Sequence, residues 1–491
     1  MKILIENGNV CSLDLPLKFA QKLYAEFAIR HPNAFYLRTR QRGMQNWDGK
    51  IHYINKHGEF KIGLLPAVYE KCIEYGIKPK VVDMRQPLPK VNGVVTKIGE
   101  YKLRPEQEKA VKAVINNKVG KVPFQIGVLD YTVNAGKTLI MSSLYLSYKK
   151  QLKTLLITND SDWLNQARDE FKKYLPGEQI TFVQGKVLNW SNFTIGMVQS
   201  ISRNMRFYQN ELSKVDMVLV DEADQAGSKQ YQNVLTRLFN TRVRIGLSGT
   251  IYMSKLAKDK VKNMNLEVFF GKVLAEFKLK DSIKKGYSTR TIVKMVPSKP
   301  WYGNWESEEV SYKEVYDDSI TFNKYAKRMV YSRLKWNLKQ DRYPALVVCK
   351  FIAHCEKLCK YFKKKLGSKY NIACVHVDTP SKIRQQIMKD FREGKIDILV
   401  STTIIARGKN FPKLRYLLNA ASMDSQEKSI QFLGRLVRTD SSKKKVYLDD
   451  LHYPGPYLNR HGKHRKQYYQ KQELKVILLE KIWKNHPIHS L

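Results

Sequence analysis

The chain has 491 residues, which is enough for about three domains of ordinary size. Hydrophobic residues make up 43% of it and charged residues 27%, the proportions of a globular protein that can bury large cores. Lysines and arginines number 87 against 45 acidic residues, so the formal net charge is +42. This excess favours a polyanionic partner, because each phosphate neutralised by Lys or Arg releases condensed counterions. A basic protein that is merely soluble is the alternative.

Several classes of protein do not fit the sequence. Six cysteines in a chain of this length do not make a disulfide scaffold. No segment approaches the roughly 18 uninterrupted apolar residues of a membrane span. Residues 1–7 lack the apolar core of a signal peptide. We therefore expect a cytoplasmic protein, in the host cytoplasm if the chain is phage-encoded.

Residues 1–90 are predicted to form a small accessory domain of mixed α and β structure. A strand at Lys2–Ile5 is followed by a helix near 16–30 and a hairpin-like segment at 35–54. The turn of that segment is signalled by Asp48-Gly49.

The hairpin-like segment carries a candidate nucleic-acid-binding surface. Arg38, Arg40 and Arg42 alternate along its first arm, so a strand would point all three from one face. Lys50 follows the turn and Trp47 lies beside it. A basic ribbon with an aromatic tip can lie against a nucleic-acid groove or stack on an exposed base. The alternative is a solvated strand face with Trp47 in a small core.

Two longer regions, 91–290 and 325–455, each alternate short apolar strands with helices. This pattern predicts an α/β fold of two lobes, each a parallel sheet covered on both faces, with a cleft between them where ligands bind at strand carboxyl ends. A connector is expected at 291–324 and a C-terminal helix in 456–491, its helical run at 467–483 after a basic start. The strands are predicted at 128–130, 154–158, 194–198, 217–220, 243–247, 345–348, 373–377, 396–400, 416–419 and 445–448.

Three residues of the second region, His354, Cys355 and Cys359, suggest two interpretations. They could belong to a metal site. The two cysteines are also four residues apart in an amphipathic helical pattern, which favours buried thiols on a core face.

A lysine loop, Ala135-Gly136-Lys137-Thr138, follows a strand and opens a helix. In that context backbone amides can cradle phosphates, Lys137 can reach the β- and γ-phosphates, and the Thr138 hydroxyl can hold Mg²⁺. The full phosphate-loop pattern has a glycine where this chain has Tyr131, so an ordinary strand-to-helix turn is the alternative.

An acidic segment, Asp221-Glu222-Ala223-Asp224, stands directly after an apolar strand. That place suits a division of labour in which Asp221 positions Mg²⁺ and Glu222 activates the attacking water. The alternative is a solvated acidic cap at the end of the strand.

A third phosphate-handling segment runs from Gln431 to Arg438. It places Arg435 and Arg438 one helical turn apart, so both point from one face. Two guanidinium groups in register can stabilise the charge that develops on a transferring γ-phosphoryl group. Together with the lysine loop and the acidic segment, in that order, they predict an ATPase motor.

These segments resemble the ordered motifs of superfamily 2 helicases over residues 100–450. The resemblance implies RecA-like lobes, with Gln107 reading adenine, Gln431 near the γ-phosphate, and Arg435 and Arg438 as arginine fingers. It further implies that Ser248 and Thr250 couple hydrolysis to lobe movement. Gln199-Ser200 and Val400-Ser401-Thr402 resemble motifs that bind the nucleic-acid strand in these helicases. Asn159-Asp160 stands where another of these motifs usually has Pro-Thr, and so departs from the family pattern.

Within that superfamily the chain most resembles phage UvsW-type helicases. The resemblance rests on a basic strand running into the Asn46-Trp47-Asp48-Gly49-Lys50 turn. It implies an ATP- and Mg²⁺-dependent enzyme of replication, recombination and repair. Its expected partners are branched or partly single-stranded DNA and RNA–DNA hybrids, and we expect a monomer without a membrane partner.

Two other functions stay open. The literal Asp-Glu-Ala-Asp suggests an RNA helicase, although that family usually has His in place of Gln431 and Ala in place of Gly249. A passive annealing protein with a decayed ATPase is suggested by Tyr131 and Asn159-Asp160.

Overall fold

The computed structural model describes residues 1–40, 44–159, 161–251, 257–298, 310–406, 411–424, 429, 432–434, 436–437, 439 and 443–479. The chain divides into two compact units, Met1–Phe277 and Lys278–Leu491. No helix of the described ranges combines the length and apolar character that a bilayer crossing requires.

The first unit is built on a seven-stranded sheet in which every neighbouring pair is parallel. Its central strands are fully buried because their residues are almost all apolar, as a sheet covered on both faces requires. All five strands predicted in this region are confirmed. In spatial order the strands are Ile180–Val183, Phe193–Met197, Thr154–Thr158, Met217–Asp221, Val243–Ser248, Ile126–Tyr131 and Val273–Phe277.

Residues 1–90 contribute a separate four-stranded sheet to the same unit. In spatial order its strands are Phe60–Lys61, Val10–Asp14, Lys2–Ile5 and Lys80–Asp83. Its apolar side chains join a buried cluster that continues into the parallel-sheet region. The α-helices of the first unit are Leu17–Glu26, Ala34–Arg40, Leu65–Glu74, Pro105–Ile115, Lys137–Ser147, Ser161–Tyr174, Val198–Arg203, Met205–Ser213, Lys229–Leu235 and Ala257–Phe270.

The second unit contains another seven-stranded parallel sheet. The five strands predicted there are confirmed, with ends shifted by a few residues. In spatial order the strands are Ile372–Val375, Ile398–Thr402, Ala345–Cys349, Tyr416–Asn419, Lys445–His452, Arg290–Pro297 and Lys475–Leu478. The α-helices described are Leu279–Lys284, Tyr312–Tyr316, Lys324–Leu338, Ile352–Leu366, Ser381–Glu393 and Leu458–Lys471. The two-lobe α/β fold is therefore confirmed.

Three sequence predictions are wrong. The first arm of the supposed hairpin is the helix Ala34–Arg40, and Lys50–His52 pairs instead with Ala28–Arg30. Arg290–Pro297, mostly assigned to a connector, is a strand of the second sheet. The helical run expected at 467–483 ends at Lys471, after which Lys475–Leu478 forms an edge strand. For the strands Lys50–His52, Arg290–Pro297 and Lys475–Leu478, pairing with residues elsewhere in the chain outweighs the local sequence pattern.

Candidate nucleotide and nucleic-acid sites

The lysine loop lies between a buried strand and a helix, as its sequence predicts. The strand ends at Tyr131, and Gly136 caps the helix Lys137–Ser147 in a left-handed conformation with φ of 72°. A Cβ at Gly136 would lie 2.3 Å from Nε2 of Gln107. Glycine is therefore required here both by the backbone conformation and by the close approach of a side chain.

Two side chains of a neighbouring helix start hold this loop in place. Nε2 of Gln107 donates to the Ala135 carbonyl at 2.8 Å, and Nη2 of Arg104 donates to the Asn134 carbonyl at 3.0 Å. Oε1 of Gln107 accepts from the Arg104 main-chain N–H at 2.8 Å. Gln107 is buried, and its amide group thus joins the lysine loop through Nε2 to the start of its own helix through Oε1.

Tyr131, which replaces the first glycine of the usual loop, is built into the core. Its side chain is fully buried, and its hydroxyl donates to the Glu106 carbonyl at 2.7 Å. Burial raises the pKa of the phenol, which therefore stays neutral. The departure from the usual pattern thus fastens the strand end to the helix that carries Gln107.

The acidic segment begins at the carboxyl end of the strand Met217–Asp221. Oδ1 of Asp221 lies 3.9 Å from Nζ of Lys137, so the two predicted phosphate and metal residues are adjacent. Glu222 follows in a left-handed conformation with φ of 52°. Such a conformation is costly for a side chain other than glycine and is found preferentially at functional sites.

The last residue of the acidic segment, Asp224, connects it to the next strand. The Ser248 hydroxyl donates to Oδ1 of Asp224 at 2.7 Å, and it lies 2.9 Å from the Thr250 hydroxyl. Between them, a Cβ at Gly249 would lie 2.9 Å from Cα of Thr132, which follows the phosphate-loop strand. Ser248 therefore bonds to the acidic segment, and Gly249, which lies between the two predicted coupling residues, closely approaches the residue that follows the phosphate-loop strand.

A tyrosine is buried beside the acidic segment. Burial raises the pKa of Tyr231 well above its ordinary value, and the negative charges of Glu222, Asp221 and Asp224 add to the rise. A neutral phenol next to these carboxylates adds no charge to the site. Sequence reasoning missed Tyr231, because a tyrosine within a short helix is not a distinctive signal.

The motif residues predicted to contact a nucleic-acid strand lie in both units, Gln199 and Ser200 in the first and Thr402 in the second. Gln199 and Ser200 lie at the start of the helix Val198–Arg203, and Nε2 of Gln199 donates to the Asn159 carbonyl at 3.2 Å. Thr402 is a buried residue at the end of a strand of the second unit. The motif positions therefore stand at strand carboxyl ends, the edge where ligands of parallel sheets bind.

The N-terminal candidates are arranged differently from the prediction. Arg38 and Arg40 lie in a helix, where residues two apart point in different directions, so they do not share a strand face. Lys50 is exposed. Trp47 donates from Nε1 to the Lys50 carbonyl at 2.9 Å and packs edge-on against His31, which makes it part of the turn.

Some predicted site residues lie outside the described ranges, and their roles stay predictions. They are Arg42, Gln431, Arg435 and Arg438.

One arginine of the helix Leu458–Lys471 lies in the core. Arg465 is fully buried, and its guanidinium pairs with Asp450 at 2.9 Å. In the same unit Cys355 and Cys359 are buried among core residues, as the core-face interpretation expects.

Two family models match the chain in the expected order. The type III restriction enzyme res subunit model matches residues 100–253, and the helicase conserved C-terminal domain model matches residues 326–440. The chain belongs to the superfamily 2 helicases. The matched ranges contain the lysine loop, the acidic segment and the two-arginine segment.

Curated relatives carry helicase names at low identity. The chain is similar to the Saccharomyces cerevisiae protein IRC3, whose name describes an ATP-dependent helicase, with 23% identity over 71% of this chain and 51% of that protein. It is similar to the ATP-dependent DNA helicase UvsW of Enterobacteria phage T4, with 21% identity over 83% of this chain and 82% of that one. The chain thus spans about half the length of the yeast relative.

A solved structure supports the fold. S. cerevisiae Dbp5 bound to RNA and ADP BeF3 aligns with a TM-score of 0.53 and 15% identity, over 77% of this chain and 90% of that chain. At this identity the match supports only the arrangement of strands and helices.

The side chains at the lysine loop fit a nucleotide and a hard cation. Mg²⁺ prefers oxygen ligands, and the Asp221 carboxylate ends a strand next to the lysine loop that carries the Thr138 hydroxyl. Gly136 starts an 11-residue helix whose first N–H groups are suited to phosphate oxygens. Asp221 and Thr138 are therefore the residues that would hold the cation, which would neutralise phosphate charge.

Proposed function

We propose that this chain is an ATP-dependent DNA helicase or translocase that remodels branched DNA such as forks, recombination junctions and R-loops. The observation that carries the proposal is the connected set of contacts around the lysine loop. Gln107 holds the loop, Lys137 lies next to Asp221, and Ser248 bonds to Asp224 in the same acidic segment.

The proposed division of labour follows from chemistry. Lys137 neutralises charge on the β- and γ-phosphates, and Asp221 with Thr138 holds Mg²⁺. Glu222 orients and activates the attacking water. Arg435 and Arg438 stabilise the charge of the transferring phosphoryl group, with Gln431 close to it.

DNA as the substrate is supported by the charge of the chain and by its likeness to a phage DNA helicase. A net charge of +42 suits binding through phosphates, which needs little base readout. The curated UvsW relative is named a DNA helicase and matches along most of both chains. Branched DNA, a cytoplasmic location and a monomeric state are parts of the same proposal.

The decisive experiment measures ATP hydrolysis with and without forked DNA. We expect turnover stimulated by DNA in the wild type and its loss in both Lys137→Ala and Arg438→Ala, since an arginine finger contributes about three orders of magnitude. Lys112→Ala, which removes an exposed lysine of the same unit, is the matched control and should behave as the wild type. If the wild type and all the variants bind DNA tightly but none of them hydrolyses ATP, the motor is refuted and a passive strand-binding protein is supported.

An RNA helicase is the second candidate, favoured by the shared fold with an RNA-bound helicase structure. A competition between DNA and RNA for ATPase stimulation separates the two. Much stronger stimulation by RNA would overturn the DNA assignment.

A further inference from the structure

The helix Ala34–Arg40 presents two large aromatic side chains to solvent. Phe35 is 79% exposed and Tyr36 is 55% exposed. The guanidinium of Arg40 lies 5.0 Å from the centre of the Tyr36 ring, and Arg38 lies on the same short helix. Single exposed apolar residues are common, but adjacent aromatics among cations are typical of a recognition surface.

The aromatic residue that the sequence suggested for base stacking is already occupied. Trp47 uses its indole N–H to bond the Lys50 carbonyl and its ring to contact His31. The rings of Phe35 and Tyr36, by contrast, are exposed to solvent.

We infer that Phe35 and Tyr36 stack on unpaired bases of the DNA substrate while Arg38 and Arg40 neutralise the adjoining phosphates. Stacking tolerates any base sequence, because every base has a π-face, and it needs an unpaired or frayed end. The occupant is therefore single-stranded DNA at a branch point, which suits the charge of this helix. This inference rests on the proposed function and names the part of the substrate that the N-terminal residues bind.

The test compares the affinity of the full chain for forked DNA with unpaired arms and for blunt duplex DNA of equal length. Phe35→Ala combined with Tyr36→Ala should weaken fork binding by about 5- to 100-fold and blunt-duplex binding by less than about 2-fold. Leu17→Ala, a substitution of another strongly exposed apolar residue of the N-terminal region, should leave both affinities unchanged.

Two outcomes would overturn the stacking site: unchanged fork affinity in the double variant, or an equal loss on both DNAs. Tyr36→Phe should retain fork affinity, because the ring is kept. The proposed function fails separately, if the wild-type chain shows no DNA-stimulated ATP hydrolysis at all.

A second observation concerns a line of hydrogen bonds within the first unit. Nε2 of Gln199 donates to the Asn159 carbonyl at 3.2 Å, Nδ2 of Asn159 donates to Oε1 of Gln225, and Nε2 of Gln225 lies 3.5 Å from Oε2 of Glu222. The line joins Asn159 and Gln199, which stand at positions of strand-binding motifs, to the proposed catalytic carboxylate.

The chemistry of Glu222 fixes the direction of this line. An ionised carboxylate only accepts hydrogen bonds, so the amide nitrogen of Gln225 faces Glu222 and its oxygen faces Asn159. A displacement of Asn159 therefore moves the donor that faces Glu222. Asn159 departs from the usual motif residues, and here it supplies the side chain that makes this connection.

The geometry points to Gln225 as a positioning residue that couples strand binding at Asn159 and Gln199 to water activation by Glu222. This inference also rests on the proposed function and extends it to a residue outside the recognised motifs. When DNA binding shifts the segment at Asn159, Gln225 transmits the shift to the carboxylate through two hydrogen bonds.

The readout is the ratio of DNA-stimulated to basal ATP turnover. Gln225→Ala and Asn159→Ala should each lower this ratio by about 2- to 30-fold, and the double variant should lower it no further than the single ones. Gln232→Ala is the control, because Gln232 is a nearby glutamine whose side chain bonds only the Gly227 carbonyl among the contacts described. This variant should keep the wild-type ratio.

Unchanged stimulation in Gln225→Ala would refute the coupling role, and so would equal losses of basal and stimulated turnover. Additive effects in the double variant would also refute it. A wild-type chain that DNA does not stimulate would instead refute the proposed function.

Discussion

Gly249 lies where two main chains come too close for any side chain. Its Cβ position is 2.9 Å from Cα of Thr132 and 3.1 Å from the Tyr131 carbonyl oxygen. The neighbours are backbone atoms of the strand that leads to the lysine loop, so they cannot rotate away.

We expect Gly249→Ala to destabilise the protein by about 1–3 kcal/mol, because a methyl group would overpack this contact. The KM for ATP should rise as well, because the strain falls next to the lysine loop. Thermal unfolding and steady-state kinetics measure both effects. Gly227→Ala, whose Cβ would meet its nearest atom at 3.4 Å, is the control, and an equal effect in both variants would contradict the argument.

His354 makes the stability of the second unit depend on pH. Burial lowers its pKa to about 3, and its Nδ1 lies 2.9 Å from the Tyr316 hydroxyl. The unfolded chain binds a proton near pH 6.5 and the folded chain does not, so stability falls as the pH drops below that value. Between pH 6.5 and 5 the loss should be about 2 kcal/mol.

Denaturant unfolding at several pH values checks this prediction. His354→Gln should flatten the dependence between pH 6.5 and 5. Tyr316→Phe removes the hydrogen bond but keeps His354 buried, so it should preserve the slope. A wild-type slope in His354→Gln would show that another group causes the pH dependence.

At the scale of elements, the sequence predicted most interior strands of the two parallel sheets but missed three of their four edge strands, Ile180–Val183, Val273–Phe277 and Lys475–Leu478. The strands Thr154–Thr158 and Met217–Asp221 are apolar runs buried on both faces, so composition alone marks them. The edge strands Ile180–Val183 and Lys475–Leu478 are short and partly exposed, and their sequences carry no comparable signal. Arginines alternate with uncharged polar residues along 38–42, a pattern typical of a strand, although Arg38 and Arg40 lie in a helix.

The same limit applies to the site. The placement of the lysine loop and of the acidic segment was predictable, because each follows an apolar run that the sequence marks as a strand. The contacts of Gln225 and Asn159 were not, since they join residues far apart in the chain through side chains that are common on any surface.

The last described helix of the second unit is fastened to its sheet by a buried ion pair. Arg465 pairs with Asp450, and its guanidinium also donates to the carbonyls of Met423 and Leu451. The Tyr469 hydroxyl and the Asn419 amide donate to the same carboxylate at 2.6 and 2.9 Å. The network satisfies both charges, which is the condition for burying them.

We expect Arg465→Met to destabilise the protein by about 3–5 kcal/mol, because it leaves the Asp450 charge buried without its cation. Chemical denaturation measures the change. Arg460→Met, which removes an exposed arginine of the same helix, should change stability by less than about 0.5 kcal/mol. Similar values for both variants would contradict the buried ion pair.

At the scale of the whole molecule, the N-terminal residues are part of the first unit's core. The guanidinium of Arg244, a buried residue of the parallel sheet, donates to the Gly8 carbonyl and to Oδ1 of Asn9, each at 2.7 Å. Gly8 and Gly63 both face main-chain carbonyls so closely that a Cβ would lie 2.5 Å from the Leu238 oxygen and 2.2 Å from the Glu267 oxygen. Proteins use such glycines where two backbones must meet.

These close contacts predict that residues 1–90 and the nucleotide-binding sheet unfold together. Gly63→Ala should force the 3₁₀ turn Ile62–Leu64 away from the helix Ala257–Phe270, because the clash is with backbone. We expect a loss of about 1–3 kcal/mol, a single unfolding transition in the wild type, and earlier protease cleavage within 1–90 in the variant. Gly227→Ala should retain the wild-type cleavage pattern. Separate melting of residues 1–90 in the wild type would show instead that this region is an independent domain, and the helix Ala34–Arg40 would then be free to move relative to the parallel sheet of the first unit.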